Sequence, residues 1–137
     1  MRRLCDALNR RHSDLAAACV VFLMLTGARR GETLLTRWRD VDLAASVWVK
    51  PSAHTETRKL HRVPLNAAAR AILTTLAERF VPAGPPADAF VFGPGLIHRL
   101  RATWEAVRAE AALPGLRLHD CRHAYASVLA SAGLSFR

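Results

Sequence analysis

Residues 26–32 read Thr26-Gly27-Ala28-Arg29-Arg30-Gly31-Glu32 (TGARRGE), and the run before them, Leu15 to Leu25, carries no charge. Ser13 or Asp14 can cap a helix through that run, and Gly27 can stop it. A short second helix follows Arg30, carrying Glu32, Leu34 and Leu35. The quoted stretch is therefore a turn between two helices. Two glycines permit a tight backbone there, and a turn bounded by helix ends can point an arginine into a cleft.

Outward from this turn the chain alternates between recognisable patterns. Ser46 to Val49 alternates about Trp48 and is β-like, and Arg62 to Leu65 is a second strand, with a long polar hairpin between them. Asn66 can cap a helix through about Phe80, with Ala69, Ile72, Leu73 and Leu76 on one face. Val81 to Asp88 is a loop by its prolines and glycine. After Phe90-Val91-Phe92, a helix from about Ile97 to Ala112 presents Leu100, Trp104, Val107 and Ala111 inward. Pro114 and Gly115 break it. The expected fold is α+β, mainly α: a helical domain with a small antiparallel β-sheet, in which Trp38 and Trp48 pack around the strands.

Composition bounds the function. The chain has 137 residues, 51% of them apolar, which is a globular composition. Its formal charge is +9, and eighteen of the twenty basic residues are Arg, leaving only Lys50 and Lys59. Arginine suits phosphate because its planar fork donates two bonds at once, so a polyanionic partner fits; a coding bias toward Arg fits too. Cys5, Cys19 and Cys121 are odd in number and far apart, which argues against a disulfide framework and for a reducing, cytoplasmic setting. The run from Leu15 to Leu25 is shorter than the about 20 residues needed to span a bilayer, so no membrane is expected. Nor does it read as a signal peptide, since Arg29 and Arg30 stand where small cleavage-site residues belong.

A second arginine-bearing stretch, Leu116 to Ser127 (LRLHDCRHAYAS), starts a final helix that Gly133 ends. Asp120 is a natural N-cap, which puts His119 just before the helix and Arg122 in its first turn. At 100° per residue, Cys121, Tyr125, Val128, Leu129 and Ala132 share a core-facing arc. His119, Arg122 and His123 fall on the other side, beside the small Ala126 and Ala130. His119 and His123 have the spacing of a zinc pair. A zincin, however, has Glu after the first His where this chain has Asp120, and His12, His54, His61 and His98 lack ligand spacings for a third position. A helix N-terminus with an arginine favours an anion over a metal cation. Two arginines and a histidine converging on a phosphodiester would stabilise the transition-state charge at phosphorus.

Together TGARRGE, a hairpin ending in HRVPL (61–65) and LHDCRHAYAS (118–127), in this order and spacing, resemble the catalytic domain of tyrosine recombinases, the phage-integrase family. The resemblance runs from about Leu4 to the last residue. It is nearest to integrases with a Lys-Pro before the hairpin, here Lys50-Pro51, and Leu-His-Arg-Val-Pro-Leu after it, here Leu60 to Leu65. It implies that Arg29 binds the scissile phosphate, that His119 assists proton transfer, that Arg122 holds the phosphate, and that Glu32 supports the site. Arg30 matches a variable position outside the phosphate site. The implied reaction is tyrosine attack on phosphorus, giving a 3′-phosphotyrosyl link and a 5′-hydroxyl, with no metal and no cofactor. The implied partners are double-stranded DNA and other recombinase protomers. Arg30, Arg58, Arg99 and Arg101 are candidate DNA contacts; for Arg99, Arg101 and Arg108 a solvated basic face is the alternative.

Two departures from the pattern bear on activity. The family's lysine stands eight residues before the proline of Val-Pro-Leu, which here is Glu56; a carboxylate there repels phosphate, and Lys59 or Arg58 is the candidate substitute. The single tyrosine, Tyr125, falls on the core arc of its helix and not beside Arg122. The expected organisation is one domain over 1–137, a partial catalytic domain without the N-terminal DNA-clamping domain and without the C-terminal tyrosine helices. Such a chain would bind DNA but not cut it alone. The alternative is a non-catalytic DNA-binding or protein-interaction remnant.

Overall fold

The computed structural model describes residues 2–50 and 61–120. It is mainly helical with one small antiparallel sheet, the architecture expected, and the chain divides into two compact units, one of residues 1–29 with 95–137 and one of residues 30–94.

The first unit holds three of the helices: α1 (Arg2–Asn9), α2 (Leu15–Thr26) and α5 (Ile97–Glu110), and each of the three packs on the other two. In α2 the apolar residues run right round the helix, a pattern that requires burial on several sides. Ala16, Ala17, Cys19, Val20, Phe22 and Leu23 are all buried. Asp14 is the N-cap, its carboxylate accepting the Ala16 N–H at 3.1 Å, and Gly27 ends the helix at φ 67°, a left-handed conformation that a Cβ disfavours. Along α5, Leu100, Trp104, Val107 and the following Ala111 are buried at the predicted inward spacing. Helix α1 was not anticipated. It buries Leu4, Ala7 and Leu8 at helical spacing, but eight residues are too few to hold a helix without the neighbours they pack on.

The second unit holds α3 (Arg30–Leu34), three strands and α4 (Ala67–Ala77). The strands β1 (Val41–Asp42), β2 (Val47–Lys50) and β3 (His61–Pro64) lie in chain order, each antiparallel to the next. Both main strands sit one residue from their expected bounds, and β1 is an addition. A tight β1–β2 turn explains it: the Asp42 carboxylate accepts the Ala45 N–H at 3.0 Å, and Ser46 takes φ 56°, so Ser46 belongs to the turn and not to the strand. Trp48 pairs with Val63 and is fully buried, and Trp38 is nearly so, as expected of packing residues around the sheet. Asn66 caps α4 by accepting the Ala69 N–H at 2.8 Å; Ala69, Leu73 and Leu76 are buried and Ile72 partly so. The unit is closed by the segment 87–91, which runs against 36–39: Arg39 N–H bonds Ala87 O, Trp38 N–H bonds Ala89 O, and Val91 N–H bonds Thr36 O.

Candidate functional site

Arg29 leaves α2 through a short locked turn. The Thr26 hydroxyl donates to Phe22 O at 2.8 Å and accepts the Ala28 N–H at 3.3 Å, and the Gly27 N–H returns to Leu23 O. Ala28 is buried, so the backbone is anchored immediately before the arginine, whose side chain is exposed. Arg29 is thus a solvent-facing cation on a fixed stalk, at the last residue of the first unit before the chain passes into the second.

His119 is the other described residue of the expected phosphate site, also exposed and in the same unit. Its lead-in is held from α5. Leu116 O accepts two hydrogen bonds, from the Trp104 indole N–H at 3.1 Å and from the Arg108 guanidinium at 3.0 Å. Arg108 is itself fixed by Glu105, whose two carboxylate oxygens accept from it at 2.8 and 2.7 Å. One residue on, Arg117 and Asp120 bond reciprocally: the Arg117 N–H donates to the Asp120 carboxylate at 2.8 Å, and the Asp120 N–H donates to Arg117 O at 2.9 Å. This corrects the expected capping. Asp120 is already helical and its carboxylate reaches back to Arg117, as the acidic member of a capping box does, so the N-terminal turn begins before His119.

Glu32, the expected supporting acid, forms an ion pair with Lys50 at 2.9 Å, joining α3 to the end of β2. Their side chains are only 10% and 11% exposed, and the Lys50 ammonium lies 5.4 Å from the Trp48 ring centroid. The Glu32 carbonyl accepts the Thr36 hydroxyl at 2.8 Å. Sequence reading noted Lys50 only as half of a Lys-Pro pair; no spacing rule links a residue on a strand end to one eighteen positions back on a helix.

The basic candidates divide. Arg30 opens α3 and is exposed, and so is Arg101 on α5. Arg99 pairs with Asp14 at 2.7 Å, and Thr103 adds a bond to the same carboxylate at 3.2 Å, which ties α5 to the N-cap of α2. Arg108 bridges Glu105 to the Leu116 carbonyl and is only partly exposed, so it is not the solvated side chain of the alternative reading. Arg122, Glu56, Lys59 and Arg58 lie outside the described residues, as do His54, His123 and Tyr125. Among the described residues, no group of three or more His, Cys, Asp or Glu side chains comes together as a metal site, and no helix is long and apolar enough to cross a membrane.

The sequence matches the phage integrase family over residues 1–137, and the chain belongs to that family. Its fold is similar to the crystal structure of XerA recombinase, with a TM-score of 0.73 and 19% identity over 98% of this chain and 49% of that one. It is also similar to the Tn1549 transposon integrase solved in complex with transposon right-end DNA, with a TM-score of 0.66 and 18% identity over 95% of this chain and 52% of that one. The chain therefore spans about half the length of these two structures. No curated protein matches it significantly in sequence.

Proposed function

We propose that these residues are the phosphate-engaging part of a tyrosine-recombinase catalytic domain acting in site-specific DNA recombination and integration. The partner is double-stranded DNA, with other recombinase protomers assembled on it. Arg29, His119 and Arg122 hold the scissile phosphodiester, and Glu32 keeps the acidic position that the family resemblance assigns it. The observation that carries the reading is the whole-length family match coinciding with an exposed Arg29 and His119 in one compact unit. The similarity to an integrase solved on DNA supports the choice of partner.

Mechanistically, Arg29 and Arg122 would neutralise the phosphate oxygens and His119 would donate to one of them, so that charge building on phosphorus meets donors already in place. Glu56 favours binding without cleavage by these residues alone. A carboxylate at that position cannot supply the proton that a departing 5′-oxygen needs at neutral pH, and the sequence pattern puts Tyr125, the one tyrosine in the 137 residues, on the apolar arc of its stretch.

The test is duplex binding by the 137-residue chain across a salt series, beside an assay for covalent adducts on nicked DNA. Affinity should fall steeply with salt, Arg29→Ala should weaken it by about tenfold and flatten the slope by about one, and no adduct should form. Salt-independent binding would refute the phosphate contacts; a trapped adduct would refute the inability to cleave.

A further inference from the structure

We infer that Trp104 and Arg108 are positioning residues for the phosphate site, acting through the Leu116 carbonyl to set His119. The inference rests on the proposed DNA-binding reading. Packing alone does not account for the donor that each side chain brings. A Trp core position requires only an apolar ring, and an arginine at the end of a helix is ordinarily solvated. Here both bring an N–H to one oxygen from consecutive turns of α5, at 3.1 and 3.0 Å.

The carbonyl they hold is the last one before the Arg117–Asp120 reciprocal pair, and His119 lies inside that pair. The backbone on both sides of His119 is therefore held by hydrogen bonds. Arg108 is not free to trade this contact for a phosphate, because the Glu105 carboxylate holds its other nitrogen through both oxygens. A fork fixed on one side delivers its remaining donor at a defined point, which lysine cannot do. The opposite end of α5 is tied by Arg99 and Thr103 to Asp14, the cap of the helix whose far end carries Arg29. One helix thus connects the stalk of the arginine to the lead-in of the histidine, within a single unit. A displacement of about 1 Å in such a lead-in is enough to spoil a phosphate contact without unfolding anything.

The experiment compares parent, Trp104→Phe, Arg108→Lys, Arg108→Met and Arg29→Ala chains for duplex affinity, its salt slope, thermal stability and amide hydrogen exchange at Arg117 and Asp120. Trp104→Phe removes one N–H and no charge, so any loss of salt-dependent binding in it is not a lost phosphate contact of its own. We expect Trp104→Phe and Arg108→Met each to weaken binding three- to tenfold and to lower the slope by about one, with faster exchange at the two amides. Arg108→Lys should recover part of the affinity. A purely structural role would lower the melting temperature and leave slope and affinity of the folded chain unchanged, and that result overturns the inference. If Arg29→Ala weakens binding while the Trp104 and Arg108 variants do not, the positioning role falls and the DNA reading stands. If Arg29→Ala has no effect either, both fall. Should Trp104→Phe or Arg108→Met fail to fold, Glu105→Gln, at an exposed position, loosens the same fork and must show the same lowered slope.

Discussion

Glu110 lies between Arg10 and Arg11, bonded to Arg11 and, at 2.8 Å, to Arg10. The hydrogen bond from Arg11, then that from Arg10, lowers its carboxyl from an ordinary 4.5 to about 2. A carboxylate whose folded pKa is depressed stabilises the fold above its unfolded value and loses that contribution as pH falls toward the folded one. The melting temperature of the parent should therefore exceed that of Glu110→Gln at pH 6, and the two should converge between pH 4.5 and about 2. Added salt should shrink the difference at pH 6, because the group is on the surface. Thermal unfolding monitored by circular dichroism across that range checks both trends. Nothing in the spacing of Arg10, Arg11 and Glu110 announces this cluster, since the residues are a hundred positions apart and meet only when α1 packs on α5.

Among the elements, α2 is the one that leads directly into Arg29 of the proposed site. Its start is capped by Asp14 and its end by Gly27, and both were readable because capping chemistry is local: a short polar side chain satisfies a nearby N–H, and a glycine accepts a left-handed turn. What was not readable is that Asp14 also receives Arg99 and Thr103 from α5. Asp14→Ala should lower stability by about 1–2 kcal/mol, the range of a lost N-cap, and Arg99→Ala by less, since that pair is partly exposed. In a double-mutant cycle the two changes should not add, as expected of groups sharing one carboxylate; urea unfolding of the four chains measures the coupling. Helix α1 shows the opposite case, where a short amphipathic segment is decided by what it lies against.

Across the molecule, the Glu32–Lys50 pair stands out among the described ion pairs because both of its side chains are largely buried. With both side chains about nine-tenths buried, removing either one takes the ion-pair partner from a charge held largely out of water. Lys50→Met and Glu32→Gln should each destabilise by about 3 kcal/mol, whereas the double change Lys50→Met with Glu32→Leu should recover most of the loss. Chemical denaturation of the single and double variants distinguishes the two outcomes. A pair that mattered only as a surface contact would give losses under about 1 kcal/mol in both single variants.

Taken alone, the amino-acid order determined the helices other than α1, the two main strands to within a residue, the Gly27 stop of α2 and the Asn66 cap of α4, the inward faces of α4 and α5, and the arginine turn at 26–32. Each of these follows from interactions within a few residues or from a periodic face, which a linear chain displays directly. Only the tertiary structure decided that Arg108 and Trp104 share the Leu116 carbonyl, that Lys50 answers Glu32, and that Arg99 is tied to Asp14. A hydrogen bond or ion pair forms between atoms about 3 Å apart in space, and separation along the chain carries no record of that distance.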